Sequence, residues 1–148
     1  MLKSTSQLYQ ETIINLNKNP LNYGEMTGEC MTAHYHNVNC GDTVKLFVKV
    51  SEDENQAINL ITFIGESCAI TKASASLMTE LLKGRTFKQA KNLLSGFYQL
   101  INDKEMDRET KEELKNLKIF EALHQYPSRR TCALLPWMAL DQLTQSCD

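Results

Sequence analysis

The sequence predicts an α+β fold in which a small three-stranded antiparallel sheet carries helices packed on one face. Three short segments of strand-like alternation follow one another between residues 27 and 64, joined by short turns. Helical periodicity precedes these segments and resumes after them. The chain has 148 residues, of which 42% are hydrophobic, and this is enough for one core. We therefore expect one domain that spans residues 1–148.

The first predicted helix covers residues 4–18. Ser4 and Gln7 have the spacing of a capping box, and apolar residues recur behind them at helical intervals. The Asn19-Pro20 pair should end this helix. The residues expected in the core are Leu8, Tyr9, Ile13 and Leu16.

The three predicted strands cover residues 27–36, 43–50 and 57–64. In the middle strand, Val44 and Leu46 belong to an apolar series at every second position, which is typical of a half-buried strand. Short links between consecutive strands favour an antiparallel meander.

Two further helices should follow the third strand. Residues 70–82 form the first, which Gly84 should end. Thr86 and Gln89 open the second with another capping-box pattern. Residues 102–118 are dense in both charge signs, so we expect a solvated linker with a short helix there.

A last helix should follow Cys132, with Trp137, Leu140 and Leu143 facing inward. Pro136 lacks an N–H group and would leave the Cys132 carbonyl unpaired if the helix began at Cys132. We therefore expect this helix to begin later or to bend.

Composition argues against several classes of partner. The net charge is -2 and the sequence pI is near 5.9, with no cluster of lysine or arginine, so neither nucleic acid nor an anionic membrane surface is expected. No stretch approaches the roughly 18 apolar residues that span a bilayer. Five cysteines, an odd number with no Cys-x-x-Cys pair, fit a reducing compartment, and we expect a cytoplasmic protein.

Cys68 stands at the predicted start of the helix that follows the third strand. Ser67 should cap the free amides there, and the positive end of the helix dipole favours the thiolate form of Cys68. In an antiparallel meander, the link between the first two strands lies where the third strand finishes, which brings Cys40 and Asp42 towards Cys68. Cys132 also precedes a helical run, and that helix start can dock against the same end of the sheet.

If these elements meet, they provide three thiolates and one carboxylate from Cys40, Asp42, Cys68 and Cys132. This four-ligand set suits tetrahedral Zn²⁺. A carboxylate is displaced from zinc more easily than a thiolate, so such a site can open. The alternative for Asp42 is a simple turn residue after Gly41.

Other cysteines and histidines have a simpler interpretation. Cys30 and Cys147 are expected as small buried hydrophobic residues. His34, His36 and His124 are expected on the surface or in packing contacts rather than as ligands.

Four motifs in order resemble the NifU-N/IscU family of iron–sulfur assembly proteins, whose fold is the SufE/NifU-like one. They are residues 19–24, Asn39-Cys40-Gly41-Asp42, Gly65-x-x-Cys68-Ala69-Ile70-Thr71-x-Ala73-Ser74 and Tyr126-Pro127-x-Arg129-x-x-Cys132-Ala133. The chain is more similar to the SufU branch, because the interval from Cys68 to Cys132 is long and Thr131 stands where the IscU branch has a histidine.

The resemblance implies a zinc-dependent sulfurtransferase that takes persulfide sulfur from a pyridoxal-phosphate cysteine desulfurase of the SufS type. Its motifs place zinc ligands at Cys40, Asp42, Cys68 and Cys132 and the sulfur-accepting residue at Cys40. Arg129 matches an arginine of the SufU pattern, where it could stabilise anionic sulfur or contact the desulfurase. An iron–sulfur scaffold would lie downstream.

Two other functions remain open at this point. The protein could be the scaffold on which an iron–sulfur cluster is built, with iron or the cluster in place of zinc, since thiolates also suit iron. It could instead be a non-catalytic interaction module that zinc only braces.

Overall fold

The computed structural model describes residues 3–37, 41–54 and 56–146. In chain order its elements are α1 (Thr5–Lys18), β1 (Met31–His36), β2 (Thr43–Val50), β3 (Ile58–Ile64), α2 (Ala69–Leu82), α3 (Phe87–Ile101), α4 (Arg108–Glu113), a 3₁₀ segment (Lys115–Leu123) and α5 (Pro127–Ser146). This order confirms the predicted α+β class. No helix in the described ranges combines the length and apolarity needed to cross a membrane.

The three strands form one antiparallel sheet in the order β1-β2-β3, as the short links predicted. His36 pairs with Thr43 across the link between β1 and β2, and Lys45 pairs with Ile64 near the end of β3. The β1–β2 link and the chain leaving β3 therefore lie at the same end of the sheet. This end carries the candidate site.

The sheet packs on α2 and α5, which also pack on each other. Small buried residues on α2, among them Ala73 and Ala75, leave room for this close approach. Trp137 of α5 is buried and stacks on Phe97 of α3, with ring centroids 4.8 Å apart. Phe120 of the 3₁₀ segment meets Phe97 edge to face and completes this aromatic group.

Both predicted capping boxes are present, at Ser4 with Gln7 and at Thr86 with Gln89. The first strand is shorter than predicted and begins at Met31, because Gly28 ahead of it adopts φ +83°, outside the extended region.

The last helix also departs from its predicted start. It begins at Pro127, a position that suits proline because the first helical N–H has no partner within the helix. Cys132 consequently lies inside α5 rather than before it, and the helix continues past Pro136.

The charged segment at residues 102–118 contains the short helix α4, as predicted. It is less solvated than we expected, because Leu114 and Leu117 are each only 1% exposed and join the main core. Exposed ion pairs such as Lys118–Glu112 lie on its outer side.

Candidate metal centre

Asp42 is held at the sheet end by the hydrogen bonds that flank the β1–β2 link. The amide of Asn37 donates to the Asp42 carbonyl at 2.8 Å, and the Gly41 amide donates to the Asn37 carbonyl at 2.9 Å. Asp42 is only 8% exposed, although it is an ionisable residue. Cys40, the predicted sulfur acceptor and fourth ligand, lies outside the described residues, as do Val38 and Asn39.

Cys68 is positioned by hydrogen bonds between the chain that leaves β3 and the start of β2. The Thr43 amide donates to the Glu66 carbonyl at 2.8 Å, and the Glu66 amide donates to Thr43 Oγ1 at 3.1 Å. The Cys68 amide then donates to Asp42 Oδ1 at 3.2 Å. The predicted approach of Asp42 to Cys68 is therefore found.

The expected cap of α2 is wrong in one respect. The N-cap residue is Cys68 itself, one position after Ser67, and it makes no side-chain capping bond. Ser67 therefore lies outside the helix. The Asp42 carboxylate takes over part of the capping role, because it accepts the Cys68 amide and its negative charge suits the positive end of the helix dipole.

Cys132 reaches the same place from the second turn of α5, not from a helix start as predicted. Its carbonyl oxygen accepts a hydrogen bond from Thr71 Oγ1 of α2 at 3.0 Å. The next carbonyl, that of Ala133, accepts one from Ser74 Oγ at 2.6 Å. Two side chains on α2 thus bind α5 beside Cys132.

The ligand atoms of Asp42, Cys68 and Cys132 all lie within 4.8 Å of one another. A tetrahedral zinc ion with Zn–S bonds of about 2.3 Å would hold sulfurs roughly 3.8 Å apart, so shifts below about 1 Å would bring the three into place. Both cysteines are partly buried and free of disulfides.

In the described part of the chain, no lysine or arginine forms an ion pair with the buried Asp42 carboxylate. The donor set therefore fits a zinc ion, which would supply the missing positive charge.

Tyr9 of α1 belongs to the surroundings of this cluster, although the sequence indicated only a core residue. Burial raises the pKa of Tyr9 above its ordinary value of 10.0; the charge of Arg129 opposes this, and negative charges on Cys68 and Cys132 add to it. The Tyr9 phenol therefore stays protonated at neutral pH and lies close enough to the cysteines to sense their charge.

Arg129, predicted from the family pattern, is exposed one turn before Cys132 on α5. Its guanidinium lies over the Tyr126 ring, 5.0 Å from the centroid, in a cation–π contact. Because its charge lowers the pKa of Tyr9, it also lies near the cysteine side of the molecule.

Thr71 is the other residue that sequence reasoning missed. It is fully buried, and its hydroxyl contacts Asp42, Cys68 and Cys132. Its position three residues after Cys68 was the available signal, because residues three apart share one face of a helix.

None of the three histidines belongs to the group of ligand atoms found in the described part of the chain. His34 and His36 are both exposed on β1, with ring centroids 6.5 Å apart. His124 is partly buried, and its Nδ1 lies 3.0 Å from the Glu121 carbonyl oxygen.

Comparison with known proteins agrees with the resemblance seen in the motifs. The family model of the NifU-like N-terminal domain matches residues 8–133. The zinc-dependent sulfurtransferase SufU of Bacillus subtilis is 31% identical over 135 residues, covering 91% of this chain and 88% of that protein. The iron–sulfur cluster assembly scaffold protein IscU of Streptococcus pyogenes is 29% identical, covering 95% of this chain and 85% of that protein.

The fold agrees as well. A crystal structure of a protein from Fervidobacterium islandicum AW-1, proposed to be an iron–sulfur cluster assembly scaffold for the SUF system, superposes with a TM-score of 0.75. The two chains share 28% identity over 93% of this chain and 97% of that one. Sequence motifs, fold and family model therefore agree, and the chain belongs to the NifU-like N-terminal domain family, which includes SufU and IscU proteins.

Proposed function

We propose that this protein is a zinc-dependent sulfurtransferase that accepts persulfide sulfur from a cysteine desulfurase and passes it into iron–sulfur cluster assembly. The observation that carries this proposal is the convergence of Asp42, Cys68 and Cys132 within 4.8 Å at one end of the sheet. The SufU relative, named as a zinc-dependent sulfurtransferase, supports it. Residues 1–148 would act as one domain in this role.

Cys40 is the proposed fourth ligand and sulfur acceptor. It precedes Asp42 by two residues, so covalent connectivity alone limits the separation of their Cα atoms to about 7 Å. A bound zinc ion would hold Cys40 as a thiolate at neutral pH while lowering its nucleophilicity. The site has one carboxylate ligand in Asp42, which leaves zinc more readily than a thiolate and lets the ligand set rearrange.

The proposed transfer is a thiol–disulfide type of exchange. The Cys40 thiolate attacks the outer sulfur of the persulfide on the desulfurase and forms a new S–S bond. The S–S bond of the donor breaks, and the cysteine of the desulfurase leaves as a thiolate. No external oxidant or reductant is needed, and the product is a persulfide on Cys40.

The desulfurase, which we propose to be of the SufS type, carries pyridoxal phosphate and performs the cleavage of the carbon–sulfur bond. This division of labour explains why no cofactor motif other than the metal ligands is apparent in this sequence. An iron–sulfur scaffold is the proposed downstream acceptor.

Arg129 has two proposed roles that experiment can separate. Its charge near the cysteines would stabilise an anionic persulfide, or its exposed guanidinium would contact the desulfurase. Arg129→Ala should raise the concentration needed for half-maximal stimulation of the desulfurase if it is a docking contact. It should lower the maximal rate at saturation if it stabilises the persulfide.

The decisive experiment is a desulfurase assay with this protein as acceptor, followed by mass spectrometry of the Cys40 peptide. Wild-type protein should stimulate turnover and gain sulfur on that peptide. Cys40→Ala should lose the stimulation while largely keeping its fold, and Cys30→Ala serves as the matched control because Cys30 lies outside the cluster. If the Cys40 peptide never gains sulfur, transfer through Cys40 is wrong.

The second candidate is a scaffold that assembles an iron–sulfur cluster, which the name of the IscU relative favours. Metal content distinguishes the two. One tightly held zinc ion after both aerobic and anaerobic purification supports sulfur transfer, whereas labile iron with a visible absorption band supports the scaffold. A third candidate, a zinc-braced module without chemistry, requires Cys40→Ala to leave desulfurase turnover unchanged.

A further inference from the structure

The Thr71 hydroxyl contacts all three described members of the candidate metal centre. Its oxygen lies 3.1 Å from Asp42 Oδ2, 3.4 Å from Cys68 Sγ and 3.0 Å from the Cys132 carbonyl oxygen. The residue is 0% exposed, so water does not compete for these contacts. Thr71 is therefore a shared neighbour of groups that come from three different elements of the fold.

The Thr71 hydroxyl cannot donate to all of these neighbours at once. A threonine hydroxyl has one hydrogen to donate, and here two oxygen acceptors lie within 3.1 Å of it. The Cys68 sulfur can accept from this hydroxyl as a thiolate or donate to it as a thiol. Moving any one of the three groups therefore changes the hydrogen bonds open to the other two.

Pro136 removes the usual helical donor to the Cys132 carbonyl. In a regular α-helix, the N–H of residue 136 would donate to the carbonyl of Cys132, and proline has no N–H. The Thr71 hydroxyl donates to this carbonyl and takes the place of the bond from residue 136. The backbone of Cys132 is thereby tied to the residue that also contacts Asp42 and Cys68.

We propose that Thr71 is a positioning residue of the metal centre, whose hydroxyl sets the spacing of Asp42, Cys68 and Cys132 for the ion. This inference rests on the proposed metal site but not on sulfur transfer. Thr71 does not bind the ion; it acts through the three ligand residues. Removal of the hydroxyl should leave the ligands present but poorly placed.

The test compares Thr71→Val, which removes the hydroxyl at nearly constant volume, with Thr71→Ser, which keeps it. Thr144→Val is the matched control, because Thr144 is equally buried and donates to the Asp141 carbonyl within α5. Zinc affinity is measured by competition with a chromophoric chelator, and the ligand geometry is read from the absorption bands of the cobalt-substituted protein.

Thr71→Val should weaken zinc binding by about tenfold and shift the cobalt bands, as expected when a hydrogen bond to a metal ligand is lost. Thr71→Ser should restore both readouts to within about twofold of wild type, and Thr144→Val should change neither. If Thr71→Val does not fold, Thr71→Ala replaces it, with Thr71→Ser again testing rescue by the hydroxyl.

Zinc affinity within twofold of wild type and unshifted cobalt bands in the hydroxyl-free variant would overturn the proposal. Failure of Thr71→Ser to rescue would do the same, because it would assign the effect to packing. Neither measurement involves a desulfurase, so the result stands even if Cys40 proves not to accept sulfur.

Discussion

Gly65 lies so close to Thr43 that a β-carbon at residue 65 would overlap the Thr43 carbonyl oxygen. Gly65 also adopts φ +146°, a conformation that residues with side chains rarely adopt. Thr43 follows Asp42, and Gly65 precedes Cys68 by three residues. The contact therefore sets the distance between two parts of the candidate metal centre.

Gly65→Ala should destabilise the protein by about 2 kcal/mol or more, because the new methyl group meets backbone that cannot move without opening the sheet. It should also weaken zinc binding. Urea denaturation and zinc titration measure the two effects. Gly24→Ala is the matched control, since Gly24 has φ +148° but no atom within 4 Å of its β-carbon position. Equal losses in the two variants would show that backbone strain, not the contact with Thr43, is responsible.

Asp42→Asn should keep the fold, because the amide oxygen can still accept the Cys68 amide hydrogen bond. Zinc affinity should fall by about tenfold or more, since a neutral amide replaces the charged ligand. Chelator competition measures this change, with Asp141→Asn as a control on α5 that does not belong to the cluster. Unchanged zinc affinity would remove Asp42 from the proposed ligand set.

Pro136→Ala should make the Thr71 hydroxyl less important for stability. The new N–H at residue 136 can donate to the Cys132 carbonyl, so that carbonyl keeps a helical donor when Thr71→Val removes the hydroxyl. In metal-free protein, Thr71→Val should cost about 1 kcal/mol less in the Pro136→Ala background than in wild type. Urea unfolding of the four proteins in this cycle measures the coupling.

The same cycle with Thr144→Val provides the control, because its hydroxyl does not contact the Cys132 carbonyl. Those two substitutions should be additive. Additivity of Thr71→Val with Pro136→Ala would contradict the proposed replacement of the helical bond.

Tyr9 should make stability sensitive to alkaline pH. Its pKa in the folded protein is raised, chiefly by burial, so the folded state keeps the phenolic proton at a pH where the unfolded state has lost it. The unfolded state then binds fewer protons, and stability falls as the pH rises from 10.0 through the folded pKa. Below pH 10 this contribution is fully present.

The variant Tyr9→Phe has no phenolic proton, so it should not lose stability in this way at alkaline pH. The free energy of unfolding is measured in urea from pH 8 to pH 11. At the alkaline end of this range, wild type should lose more of its unfolding free energy than Tyr9→Phe does. Tyr98→Phe, at an exposed position on α3, is the comparison variant. Parallel curves for wild type and Tyr9→Phe would show that the phenol is not perturbed.

The sequence alone determined the features that depend on neighbouring residues. Ser4 with Gln7 and Thr86 with Gln89 form capping boxes because each pair lies within one helical turn. The alternation in residues 43–50 matched β2 at both ends. Short links between strands favoured a meander, which the structure confirms, and this brought Asp42 to Cys68.

Only the tertiary structure decided how Cys132 reaches the candidate metal centre. Cys132 lies inside α5 and is aimed by Thr71 of α2, 61 residues away in the chain. Tyr9 approaches the same cysteines from α1. Such contacts depend on how whole helices pack, and packing sums many weak interactions that no local sequence pattern records. The candidate ligand residues could therefore be identified from motifs, whereas the groups that position them came from the fold.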